Sequence, residues 1–77
     1  MSQIDEIVKI IKMVTKSEAI EVNDNLKEKG VTSLNLMTIL ANIESVFDIE
    51  IPDEELVLSN FETVAAIDKL VTKLIEE

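Results

Sequence analysis

The stretch with the most chemical promise is Gly30-Val31-Thr32-Ser33-Leu34. It places a serine at the end of a glycine-containing loop and at the start of a strongly apolar helical run. A helix N-terminus offers unpaired backbone N–H groups and the positive end of a dipole, a good setting for a phosphate ester. That geometry would suit a serine carrying a phosphodiester-linked group. The plainer role for Ser33 is an N-cap hydroxyl bonded to its own helix. Thr32 is an equally good cap, and the local pattern leaves both roles open.

Little else in the chain could do chemistry. Among 77 residues there are 7 lysines, 16 Asp and Glu, no His and no Cys. The usual general base, the thiol nucleophile and the soft metal ligands are therefore missing. No visible motif sets a His or Lys base beside Ser33, so an enzyme is not expected. The acids Asp48, Glu50, Asp53, Glu54 and Glu55 lack the spacing and the sixth-position glycine of an EF-hand. They are expected to form a solvated acidic face, and no metal site is expected. A cysteine-free chain has no disulfides, as expected of a cytoplasmic protein. The formal net charge of −9 repels phosphate backbones and anionic lipid, which argues against nucleic acid and membrane-surface roles and for basic protein partners. No secretory signal opens the chain and no apolar run approaches the roughly 20 residues that span a bilayer. Membrane insertion is not expected, and a monomer is.

The elements that must position Ser33 follow from periodicity. From Ser2 to about Lys16, Ile4, Ile7, Val8, Ile11 and Val14 share one helical face, and Ser2 with Asp5 resembles a capping box. Residues 17–32 lose the pattern and form a long loop, with Ile20, Val22 and Leu26 as apolar anchors. A second helix is predicted from about Ser33 to Phe47. Its apolar residues cover well over half the circumference, so it is expected to be the most buried helix. Asn35, Thr38, Asn42 and Ser45 gather in the remaining arc. Ile49 and Ile51 alternate, but two inward residues are too few for a sheet. Pro52 opens a short helix predicted to run to about Leu58, where Ser59 and Asn60 break it. A last helix is predicted from about Thr63 to Glu76, with Val64, Ile67, Leu70, Val71 and Leu74 on one face. The fold class is all-α: one domain over residues 1–77, a bundle of three principal helices plus one short one.

With these elements in place the chain resembles the acyl carrier proteins over essentially its whole length. The family opens its second helix with Gly-x-Asp-Ser-Leu, and the matching residues here are Gly30, Val31, Thr32, Ser33 and Leu34. Phe47-Asp48-Ile49-Glu50-Ile51-Pro52-Asp53-Glu54-Glu55 resembles the segment between the family's second and third helices. Thr63-Val64-Ala65-Ala66-Ile67-Asp68 resembles the start of its last helix. The resemblance implies a four-helix acidic bundle with a covalent 4′-phosphopantetheine on Ser33, flanked by Thr32 and Leu34. A phosphopantetheinyl transferase would install it from coenzyme A. The arm ends in a thiol that carries acyl groups as thioesters, so the reactive sulfur belongs to the cofactor. In this family cargo can slip between the helices. Met37, Leu40, Ile43, Leu56, Val57, Ile67 and Val71 are the candidates to line such a cleft, each of them also an ordinary core residue in type.

Two departures from the family pattern bear on partners. Thr32 stands where the family usually has Asp, which removes a charge beside the serine. The exposed arc of the second helix, usually acidic, is here Asn35, Thr38, Asn42 and Ser45, with Glu44 the main acid left. Neutral contacts of this kind alter specificity more than affinity. The expected partners are acyl-transferring, condensing and modifying enzymes with basic docking surfaces, in fatty-acid or specialised, polyketide-like biosynthesis. The alternatives are an aminoacyl or peptidyl carrier of the D-alanyl or nonribosomal-peptide type, and an unmodified acidic docking protein of the same fold. The charge is unevenly spread: residues 33–62 hold seven acids and no lysine. Docking is therefore expected around Glu50, Asp53 and Glu54 as well as along the second helix.

Overall fold

Hydroxyl side chains start the three long helices. The structure is a computed structural model that describes residues 2–17 and 19–76. Helix α1 spans Gln3–Thr15, and Ser2 caps it by accepting from the Asp5 N–H at 3.1 Å. Helix α2 spans Ser33–Phe47 behind Thr32, and α3 spans Val64–Glu76. The Thr63 hydroxyl accepts from the Ala66 N–H at 3.0 Å, so Thr63 is the cap of α3 and lies outside the helix. Side-chain caps of this kind are each worth about 1 kcal/mol. Both α1 and α2 end on a left-handed residue, Lys16 (φ 60°) and Asp48 (φ 53°).

The helices pack through aliphatic stripes. Ile7, Ile10 and Ile11 of α1 meet Ile39 and Ile43 of α2 and Val64, Ile67, Leu70 and Val71 of α3 in one core. At α1's first turn the Gln3 amide donates to the Asp68 carboxylate (2.8 Å) and the Thr72 hydroxyl (2.9 Å), in the later turns of α3. At α3's other end, the Ala65 N–H donates to the Val22 carbonyl (3.0 Å) and the Leu26 N–H to the Glu62 carbonyl (2.8 Å). The long loop 17–32 is thereby tied to the start of α3. Ile20 and Leu26 are buried and Val22 is half-buried, as the pattern of the loop predicts.

Two expectations are corrected. The second helix is not the most buried: α2 buries only Ile39 and Ile43, against three residues of α1 and four of α3. A helix packed on one side of a small bundle can turn only one stripe inward. The rest of its broad apolar arc therefore faces solvent, with Leu34 74% and Met37 68% exposed and Val46 also exposed. The short helix predicted from Pro52 to Leu58 is instead two 3-10 turns, Asp53–Glu55 and Leu58–Phe61, and Ser59 and Asn60 lie inside the second. The break falls at Leu56 (φ −81°, ψ 61°), where the Val57 N–H reaches back to the Glu55 carbonyl at 2.9 Å. That is an inverse γ-turn, which a continuing helix cannot contain. Phe61 then anchors the segment in the core.

Candidate functional site

Ser33 sits at the end of a tightly turned loop. The Val31 and Lys29 N–H groups both donate to the Leu26 carbonyl (3.0 and 3.1 Å), and the Gly30 N–H donates to that of Lys27 (3.1 Å). Gly30 closes this turn at φ 88°, a backbone state that side-chain-bearing residues rarely adopt; space around it is open. Val31 then plunges into the core and Thr32 surfaces.

The choice between the two hydroxyls, open in the sequence, is resolved by hydrogen bonds. Thr32 Oγ1 accepts from the Asn35 N–H and Asn35 Oδ1 accepts from the Thr32 N–H, both at 3.1 Å. This is a complete capping box, with Thr32 as N-cap. Ser33 is the first helical residue, is exposed, and its hydroxyl makes no hydrogen bond among the described residues. The cap is Thr32, and Ser33 is left with a hydroxyl that the fold does not use.

Beside Ser33 lies an open cavity of about 530 Å³. Its walls are the 25–31 turn, the start of α2 with Leu36, and the Leu58, Phe61 and Glu62 side chains. Lys27 is the cation on its rim. A somewhat larger surface groove of about 660 Å³ runs between Glu55, Ser59 and Asn60 and the Ala65–Lys73 side of α3, away from Ser33.

The other residues singled out in the sequence fall into separate environments. Asn35 is committed to the capping box. The Thr38 hydroxyl donates to the Leu34 carbonyl (3.3 Å) and the Asn42 amide to that of Thr38 (2.8 Å), both still on the outer surface of α2. Glu44 accepts from the Ile51 N–H at 2.8 Å and so pins the chain that leaves α2. Glu50, Asp53 and Glu54 are exposed. They lie in the chain that leaves the end of α2 and leads to Leu58 at the cavity. The seven cleft candidates do not share one environment. Ile43, Ile67 and Val71 are buried, Leu40 is half-buried, and Met37, Leu56 and Val57 are exposed. Glu55 accepts from Lys73 and from the Asn60 amide (3.3 Å), which also donates to the Glu55 carbonyl (2.7 Å). The Lys73 ammonium hydrogen-bonded to it holds the Glu55 carboxyl below the usual glutamate range.

Sequence reasoning missed the cavity walls. Leu26 was legible as an anchor, but nothing in the periodicity told that Leu58 and Phe61, far along the chain beyond α2, would line the cavity beside the serine. The one available signal was that both are large apolar residues in a segment with no helical period.

A small helical bundle that caps its second helix with one hydroxyl and presents the next one, unbonded, beside an open cavity is a scaffold for carrying a group. The sequence model for the family described as "Phosphopantetheine attachment site" matches residues 5–71, and the chain belongs to that family. It is a non-catalytic carrier protein whose cofactor is a covalently attached 4′-phosphopantetheine. Among curated proteins it is similar to "Aminoacyl carrier protein 1" of Bradyrhizobium diazoefficiens, with 25% identity over 71 residues, 87% of this chain and 79% of that one. No solved structure matches the chain. The residues present fit the cofactor: a free, exposed hydroxyl adjoins a cavity within the roughly 300–1,000 Å³ range of small-ligand pockets. No helix among the described residues is long and apolar enough to cross a membrane.

Proposed function

We propose that Ser33 is the attachment residue and that the protein delivers acyl groups, held on the arm, to biosynthetic enzymes. The observation that carries this is the division of labour between neighbours: Thr32 caps α2, and the Ser33 hydroxyl is exposed and unbonded. When bound, the group supplies a thiol on which cargo rides as a thioester. Ser33 fixes the root of the arm to a rigid helix start. Leu34 and Met37, both strongly exposed next to it, offer a partner an apolar contact close to the arm. The exposed acids Glu50, Asp53 and Glu54, in the chain that follows α2, give the same partner a second, electrostatic handle.

The test is the intact mass of the apo-protein after incubation with coenzyme A and each of several phosphopantetheinyl transferases. The expected result is an increment of one phosphopantetheine, absent from Ser33→Ala. No increment with any transferase would overturn this reading in favour of an unmodified docking protein.

A second reading of the cargo has specific support. The similarity to an aminoacyl carrier favours an aminoacyl group over a fatty or polyketide chain. Offering the holo-protein amino acids with adenylating ligases, and in parallel malonyl and fatty acyl donors with their transferases, separates the two by which thioester forms.

A further inference from the structure

Three of the seven lysines stand together on α1. Lys9 and Lys12 are i, i+3 neighbours in the helix, and Lys16 follows Lys12 by four residues as its C-cap. These spacings bring like charges together on one face. Ile7, Ile10 and Ile11 turn the opposite face to the core, so the three lysines are exposed, and with them Met13, 63% exposed. Met13 stands four residues after Lys9 and three before Lys16, which puts it among the lysines. Lys12, Met13, Lys16 and Ser17 line a surface groove of about 370 Å³. The helix dipole accounts for positive charge in the last turn, where Lys12 sits, but not for Lys9 in the turn before it. Acids of the chain do not hold these lysines either. The ion pairs among the described residues are Lys29 with Asp24 and Lys73 with Glu55, and Asp5, four residues before Lys9, makes none with it. In a chain with more than twice as many acids as lysines, this face is a patch of unpaired positive charge around one apolar side chain.

We propose that this face of α1 docks an acidic amphipathic helix of a partner protein, which sets an apolar side chain against Met13 and carboxylates against Lys9, Lys12 and Lys16. Charge complementarity selects the occupant. A basic partner is repelled here and is drawn instead to residues 33–62, which hold seven acids and no lysine. A membrane surface is disfavoured by the net charge of −9 and by the single apolar side chain on offer. The other apolar residues of α1 belong to the core or pack against it, so the helix has no second apolar face to lay into lipid. Ammonium groups around an exposed thioether give a protein partner long-range attraction and a short-range, adaptable apolar contact. The face lies on a different helix from Ser33, so this inference goes beyond attachment there and does not depend on it. It gives the carrier two poles, one for basic partners after α2 and one for an acidic partner on α1. A partner held on α1 tethers the carrier while leaving Ser33 uncovered.

The experiment uses the full-length apo-protein and a synthetic amphipathic helix of glutamate and leucine, with its glutamine-for-glutamate counterpart as the uncharged control. Amide chemical shifts locate the binding, and their titration gives the dissociation constant. Shift changes should centre on residues 9–17, and binding should weaken as salt rises. The double reversal Lys9→Glu, Lys12→Glu should weaken it about tenfold, Met13→Ser about threefold, and the uncharged peptide should bind about tenfold more weakly than the acidic one. All three substituted positions are exposed, and thermal melts check that the variants stay folded. Shift changes spread evenly over Lys27, Lys29 and Lys69, or centred on Leu34 and Met37, would overturn the proposal. So would binding that the lysine reversals leave intact. In a parallel arm the protein is sedimented with vesicles of phosphatidylglycerol and phosphatidylcholine. Capture by the vesicles through the same lysines, with no binding of the peptide, would overturn the protein partner in favour of a lipid surface.

Discussion

Removing either of two neighbouring hydroxyls should have opposite consequences. Thr32→Ala deletes the Oγ1 that accepts from the Asn35 N–H at 3.1 Å and dissolves the capping box. Loss of a threonine N-cap costs about 1 kcal/mol, up to about 2. In a domain of this size 1 kcal/mol moves the melting temperature by about 4–8 °C. Ser33→Ala deletes a hydroxyl with no hydrogen-bond partner among the described residues, at a helical position where alanine is the better helix former. Its stability should stay within about 0.5 kcal/mol of wild type and move upward if at all. Thermal melts of the two apo-variants by circular dichroism, at one salt concentration, give both numbers. The reasoning would be refuted by a Ser33→Ala loss as large as that of Thr32→Ala, since Ser33 would then be the cap. The loading assay then inverts the ranking. Thr32→Ala should still accept phosphopantetheine, more slowly, and Ser33→Ala should accept none.

Other substitutions probe the frame around the site. Glu44→Ala removes the carboxylate acceptor of the Ile51 N–H (2.8 Å), a charge-assisted bond worth about 1.5–3 kcal/mol, and should speed hydrogen exchange at the Ile51 amide more than in α1 or α3. Leu26→Ala, at a side chain 1% exposed, should cost about 2–5 kcal/mol in chemical denaturation and loosen the turn before Ser33. The Glu55 carboxyl is held low in the folded state by Lys73, so its contribution to stability is present above the ordinary glutamate range and is lost as pH falls through and below it. Melts of Lys73→Met should therefore differ from wild type at pH 7 and converge with it in acid. Reversing Glu50, Asp53 and Glu54 to Lys should slow association with a basic partner, more at low salt than at high, and equal rates at both would remove these acids from the docking surface.

Helix positions were legible because they are written twice, in apolar spacing and in caps. Ser2 and Thr63 sit one residue before the helices they start, and the Ile7–Ile11 and Ile67–Val71 spacings name the faces that are buried. The second helix misled because its apolar residues are too many for one interface. Periodicity registers what is apolar, but burial depends on whether a neighbour exists to cover it, and for Leu34 and Met37 none does. The 53–61 segment misled for the reverse reason. Pro52 and the acids after it are sound helix-start signals, but a run of three to four residues is governed by side-chain hydrogen bonds, here from Asn60 and from Lys73 to Glu55. At the candidate site the motif points to Ser33, but its freedom from capping duty is not written in the sequence. Two adjacent hydroxyls satisfy the cap pattern equally, and the bond from the Asn35 N–H to Thr32 Oγ1 distinguishes them.

The surplus of apolar side chains on the outer surface of α2 has a colloidal consequence. Leu34 and Met37, proposed above as a contact for partners, are exposed to other copies of the protein as well, and a patch of that kind would drive association in a neutral protein. The net charge of −9 opposes this: like-charged copies repel before their apolar spots can meet. Acidity and stickiness are then two halves of one compromise, and it should fail at a definable point. Near the isoelectric pH of about 4.3 the repulsion vanishes while the exposed side chains remain, and the protein should there become least soluble.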